Sequence, residues 1–182
     1  MKISILLFYL LILAQVGLSQ NYYTRNINMN DGLPSNSIQD IFKDSKGYIW
    51  IGTEAGLVKY DGKEFKTYTT RDGLSGNRIW SITEDTLGNL WMANYGNGIS
   101  KFDGKRFTNY SSNEGLVNDN VRIIQYSKKH KGLLIGTVSG FSFYKDSTFI
   151  SFRDSAYLEL LQVTSFIETD SIIYLLTFGA TD

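Results

Sequence analysis

Asp31-Gly32-Leu33, Asp72-Gly73-Leu74 and Glu114-Gly115-Leu116 open three stretches that repeat one pattern. Ile38, Ile79 and Val121 match, as do Ile41, Ile82 and Ile124. Ile49-Trp50-Ile51-Gly52 answers to Leu90-Trp91-Met92-Ala93 and to Leu133-Leu134-Ile135-Gly136. Tyr60-Asp61-Gly62-Lys63 answers to Phe102-Asp103-Gly104-Lys105, then Phe65 to Phe107 to Phe149. The glycines recur every 41–42 residues, the period at which four-strand propeller blades fall.

One copy reads as four short strands. Ser37 to Phe42 is bounded by turn residues, and Asp44-Ser45-Lys46-Gly47 is a tight turn. Tyr48 to Thr53 is rich in aromatic and β-branched residues. Glu54-Ala55-Gly56 turns the chain into Leu57 to Tyr60, and Asp61-Gly62 is a strong hairpin signal before Glu64 to Tyr68. The expected fold is therefore all-β: a β-propeller of four-stranded antiparallel blades. A β-sandwich would not repeat its sequence. Helical or leucine-rich solenoids need a 3.6-residue apolar period, which is missing here. Tyr157 to Leu161, the one stretch with a helical look, reads as a degenerate linker.

The expected organisation is a signal peptide over 1–19 and a partial propeller over 20–182. Its repeats lie near 31–71, 72–113 and 114–153, with an incomplete fourth over 154–182. Lys2, the apolar run Ile5 to Ala14, and small Gly17 and Ser19 give the order of a secretory signal. That run is shorter than the roughly 20 residues that cross a bilayer. Asn21 to Ile27 stands where a fourth strand would precede the first linker. About three and a half blades form an open array, and unpaired strand edges favour association. The sequence thus reads as the N-terminal part of a longer protein, with the missing C-terminal blades as a partner.

Lys plus Arg and Asp plus Glu both number 18, giving zero net charge. A nucleic-acid partner is not expected, because phosphate binding draws on a surplus of cations. There are no cysteines, so disulfides and thiolate metal sites are excluded. With one histidine besides, a Ser-His-Asp or Cys-His system lacks material. No cofactor or metal is expected.

The stretches Gly32 to Ile38, Asp44 to Thr53 and Gly56 to Asp61 resemble the two-component regulator propeller repeat. The second copy fits through Glu84 to Trp91, though Ala93 replaces Gly. The third fits loosely and the fourth poorly. The resemblance implies the periplasmic sensor of a hybrid histidine kinase of the kind found in Bacteroidetes, with a parent anchored in the inner membrane. Its implied partners are a small-molecule or oligosaccharide ligand and signalling domains of the same chain. A homodimer of the parent receptor is compatible with it. Streptogramin-lyase-like propellers have similar repeats. Kinase activity does not carry over, since no kinase motif is in this chain.

Trp50 and Trp91 recur at one strand position and the third copy keeps only apolar bulk there, so they read as core rather than sugar platforms. Asp44 and Asp85 read as turn side chains rather than calcium ligands, and His130 as a solvated loop residue. The informative slots keep their place while their chemistry varies. Gln39, Trp80, Arg122 and Thr164 fill one slot. Asn36, Asn77 and Asp119 fill a second, and Glu54, Asn94 and Tyr95 lie in the loop after the Trp strand. The candidate ligand-binding residues are Asn36, Asn77, Trp80, Tyr95 and Arg122. Trp stacks on sugar rings, Arg pairs with carboxylate or sulfate, and Asn bonds hydroxyls. The competing reading of each is a solvated rim residue.

A non-enzymatic sensor is the function expected. A propeller enzyme would need a His or carboxylate cluster at the axis, and a protein-binding propeller is the third reading. Mass spectrometry of the exported protein is expected to find Gln20 at the N-terminus; an intact Met1 would overturn the leader.

Overall fold

A computed structural model describes residues 24–153 and 162–178. The leader, and the linker reading of Tyr157 to Leu161, lie outside the described residues. Three four-stranded antiparallel sheets follow one another, each in chain order, and a two-stranded sheet comes after them. Blade I is β1 (Ile38–Lys43), β2 (Ile49–Thr53), β3 (Gly56–Tyr60) and β4 (Phe65–Tyr68). Blade II is β5 (Ile79–Glu84), β6 (Leu90–Asn94), β7 (Ile99–Phe102) and β8 (Phe107–Tyr110). Blade III is β9 (Val121–Ser127), β10 (Gly132–Thr137), β11 (Phe141–Lys145) and β12 (Thr148–Phe152), and β13 (Gln162–Glu168) pairs with β14 (Ile173–Phe178). The first strand of each blade packs on the first strand of the next, so β1, β5, β9 and β13 are the inner strands. Thr24 to Asn28 form no strand, although Ile27 packs beside Leu33 and Phe65.

The linkers explain the Asp-Gly-Leu signature. Met29–Asp31, Thr70–Asp72 and Ser112–Glu114 are 3-10 turns. The Asp or Glu closing each turn accepts from the backbone N–H of Asn28, Thr69 or Ser111, which caps the turn in return. The glycine takes a left-handed φ of 106–113°, where a Cβ is disfavoured. Leu33, Leu74 and Leu116 then enter the core.

The core lies between blades. Trp50 and Leu57 of blade I pack on Ile79, Ile82, Leu90, Met92 and Phe102 of blade II. Trp91, Ala93 and Ile99 repeat the arrangement against Val121, Ile124, Leu133 and Ile135. Gly52 sits where the blades approach closely: a Cβ there would be 2.8 Å from the Ile79 carbonyl oxygen. The turn aspartates belong to the same packing. Asp44 Oδ1 accepts from the N–H of Lys46 and Tyr48, while Oδ2 accepts from the Trp50 indole at 2.8 Å. Asp85 treats Leu87, Asn89 and Trp91 alike. Burial is the largest single effect on the Asp85 carboxyl and raises it; the bonds from Trp91, Asn89 and Leu87 together outweigh burial and hold it below the ordinary carboxylate value.

The two ends are exposed. Ile41 is 64% accessible, whereas its equivalents Ile82 and Ile124 are 4% and 2% accessible because a blade precedes them. Ile167, Tyr174, Leu176 and Phe178 are exposed at the other end.

Trp50→Ala is expected to cost about 3–5 kcal/mol, as for other buried aromatics, read from the denaturant midpoint. A variant as stable as the parent would contradict a core role.

Candidate functional site at the blade rim

The inner strands carry one irregularity four times. The β1–β2 ladder shifts between Ile38 and Asp40, and β5–β6 shifts between Ile79 and Ser81. The β9–β10 ladder shifts where Thr137 pairs with Val121 and Gly136 with Ile123, and the last hairpin shifts between Val163 and Ser165. Each shift is a β-bulge, and the extra residue is Gln39, Trp80, Arg122 or Thr164. A bulge re-aims the side chain it carries and frees it from the ladder. The variable slot is thus built by the backbone.

These bulges lie at the end of the blades where β2 turns into β3. Glu54 Oε1 accepts from Gln39 Nε2 at 3.0 Å, and Oε2 accepts from Arg78 Nε at 2.6 Å. The Arg78 guanidinium stands over the Tyr95 ring, 5.1 Å from its centroid. The hydrogen bond to Glu54, then the Glu54 charge, raises the pKa of Arg78 above the usual guanidinium value. Tyr95 stacks on Trp80 at 4.4 Å with planes 16° apart. Arg122 lies 5.0 Å from the Trp80 ring and 5.8 Å from the Tyr95 ring. The result is one ladder across three blades: Gln39, Glu54, Arg78, Tyr95, Trp80, Arg122. Trp80 Nε1 and Arg122 Nε are buried donors without a partner among the described residues.

Trp80, Tyr95 and Arg122 of the expected set come together. Asn36 and Asn77 instead hold the linkers: their Oδ1 atoms accept from the N–H of Met29 and Thr70, as Asp119 Oδ1 does from Ser112. Asn94 is not in the loop. It ends β6, fully buried, in the place of Thr53 and Thr137, and its Nδ2 donates to Ser75 and Ser100. The loop of blade II is one residue longer, which shifted the alignment: Asn94 N–H bonds Gly98, whereas Thr137 N–H bonds Gly140. Arg78 was missed. The bulges had a visible signal, since Ile38/Ile41, Ile79/Ile82 and Val121/Ile124 are three apart where a regular strand alternates by two.

Other clefts are poorer candidates. Two, of 220 and 240 Å³, open at the opposite end of the blades beside Asp85–Trp91 and Asp44–Trp50 and belong to blade packing. An apolar one of 300 Å³ lies between blade III and the last hairpin, lined by Leu134, Phe143 and Leu175. His130 borders it, 3.3 Å from Glu168 and away from the rim. Among the described residues no cluster of His and carboxylates could hold a metal.

Comparisons with known proteins agree with this architecture. Residues 32–55 and 73–96 match the two-component regulator propeller model. A 65-residue stretch is 37% identical to histidine kinase P4 of Formosa agariphila, covering 36% of this chain and 5% of that protein. The extracellular domain of a Bacteroides thetaiotaomicron hybrid two-component system superposes with a TM-score of 0.74 at 24% identity, over 83% of this chain and 23% of that one. Virginiamycin B lyase of Staphylococcus aureus superposes with a TM-score of 0.60 at 17% identity, over 79% and 50% of the two chains. The chain thus spans a small part of the curated relative it matches.

Tyr95→Ala is expected to raise acrylamide quenching of tryptophan fluorescence with little loss of stability, since Trp50 and Trp91 stay buried. Unchanged quenching would show that the stack does not shield Trp80.

Proposed function

We propose that this array of two-component regulator propeller repeats is the extracytoplasmic sensing part of a signalling receptor, and that its rim binds the signal, an oligosaccharide. One observation carries the reading. Four bulges hold a fixed backbone frame at the rim while the side chains they present differ completely: Gln39, Trp80, Arg122 and Thr164. Packing would favour uniform apolar residues in such a slot. A mixed set of aromatic, cationic and amide groups suits a ligand with a ring face and several polar substituents.

The chemistry favours binding over catalysis. A general acid–base pair needs titratable groups poised near the operating pH. The rim carboxylate, Glu54, is held by Gln39 and Arg78. Asp40, one residue beyond the bulge, points across to blade II, where Oδ2 accepts from Ile82 N–H. Burial pushes its carboxyl up, and the backbone donors Ile82 and Ile41 pull the other way without cancelling the rise. It joins blades and makes no ion pair among the described residues. The histidine kinase and two-component relatives support a signalling parent, with further blades and signalling domains as its proposed same-chain partners. A zero net charge fits a partner that is not a nucleic acid.

Calorimetry of the full-length protein against a glycan panel tests the reading. Binding is expected to vanish in Trp80→Ala and Arg122→Ala, while the melting temperature moves far less than in Trp50→Ala. Variants that bind like the parent would place the ligand elsewhere.

A further inference from the structure

The three centroid distances in the rim ladder fix where Arg122 stands. If its guanidinium lay on the Trp80 face remote from Tyr95, its distance from Tyr95 would approach the sum of 4.4 and 5.0 Å. It is 5.8 Å from Tyr95, so it does not stand opposite Tyr95 across the Trp80 ring but lies to one side of the stack, near both rings. Arg78 approaches Tyr95 but not Trp80. Among the described residues, then, no second ring or cation covers the outer face of Trp80.

The two arginines are also unequal. Arg78 is neutralised by Glu54 at 2.6 Å. Arg122 has no carboxylate within ion-pair distance among the described residues, and its Nε is already out of water without a partner. A neutral ligand laid on Trp80 would strip more water from that charge and return nothing, which is costly. An oxyanion would supply the missing acceptor in a charge-assisted bond.

We propose that the rim selects a saccharide ring bearing an oxyanion, a carboxylate or a sulfate, with the ring on the outer face of Trp80 and the oxyanion on Arg122. This rests on the reading of the rim as a saccharide site and goes beyond it in assigning charge selection to one residue. Trp80 is the platform, Tyr95 positions it, and the Glu54–Arg78 pair holds Tyr95 while leaving no net positive charge to compete.

The test is titration calorimetry of the full-length protein with three probes of equal length: oligogalacturonate, a neutral galacto-oligosaccharide and its sulfated form. At least one acidic probe is expected to bind about tenfold or more tightly than the neutral one, as for a charged bond of about 1.4 kcal/mol or better. Which acidic probe does so identifies the oxyanion. Arg122→Gln is expected to bring acidic and neutral probes to within about twofold of each other, the larger loss falling on the acidic probes. A parent that binds the neutral probe as well as the acidic ones overturns the proposal, as does a preference that survives in Arg122→Gln; both leave the saccharide reading standing. If neither these probes nor any glycan of the wider panel binds, that reading falls as well.

Discussion

Each blade is stable because one face of it is the lid of its neighbour. Trp50 and Leu57 leave water only against Leu90, Met92 and Phe102, and Trp91 and Ile99 only against Leu133 and Ile135. A large indole can serve at that joint only if its N–H is satisfied, since an orphaned buried donor costs about 1–3 kcal/mol. The turn aspartate meets that need. Asp44 and Asp85 accept from the indole and from two backbone N–H groups of their own turn. One carboxylate thereby fixes the hairpin and the interblade side chain together. The depressed pKa of Asp85 is the electrostatic trace of that arrangement. Its contribution to stability is complete above the ordinary carboxylate range and declines as pH falls through the lowered value.

The third blade shows what happens when the pair is lost. Leu134 replaces the tryptophan and has no N–H to satisfy, so the aspartate is dispensable and Ser127 stands in its place. Ser127 still accepts from the backbone of its turn, at His130 N–H, and its hydroxyl donates to Glu168 of the following hairpin at 2.6 Å. Glu84 makes the corresponding interblade link to Ser45. Interblade connection thus persists where the Asp–Trp pair has gone.

Most of the fold was legible because it is written repeatedly. Turn glycines, Asp-Gly hairpins and paired apolar positions placed the four strands of the first blade within one residue at each end, and the core role of Trp50 and Trp91 followed from their replacement by leucine. The rim was less legible. The variable slot was visible as a slot, but a bulge is a backbone event, and its only mark was the three-residue spacing of Ile38/Ile41 and its equivalents. Arg78 escaped because it lies just before the strand and its partner Glu54 is 24 residues away on another blade. Asn94 was misplaced because a one-residue insertion in a glycine-rich loop cannot be assigned to a side of the strand end by sequence alone. Its buried amide bonds Ser75 and Ser100, contacts that no local pattern announces.

The division of labour follows from geometry. Residues that repeat in kind, such as Leu74 and Leu116, sit where two blades meet, and there any change in volume is felt by both. Residues that repeat only in position sit on the bulges, which the ladder does not use and the interblade core does not reach. Mutation at a bulge therefore changes what the rim presents without altering the register that presents it. Across three blades this gives an amide, an indole and a guanidinium at equivalent backbone positions, joined through Glu54, Arg78 and Tyr95 into one surface. The cost falls at the contact between neighbours: among the described residues, Trp80 and Arg122 each keep a buried nitrogen unpaired. Under the proposed sensing role, these two donors are the groups that an acceptor from outside would meet, which the core orphan Asn94 Oδ1 is not.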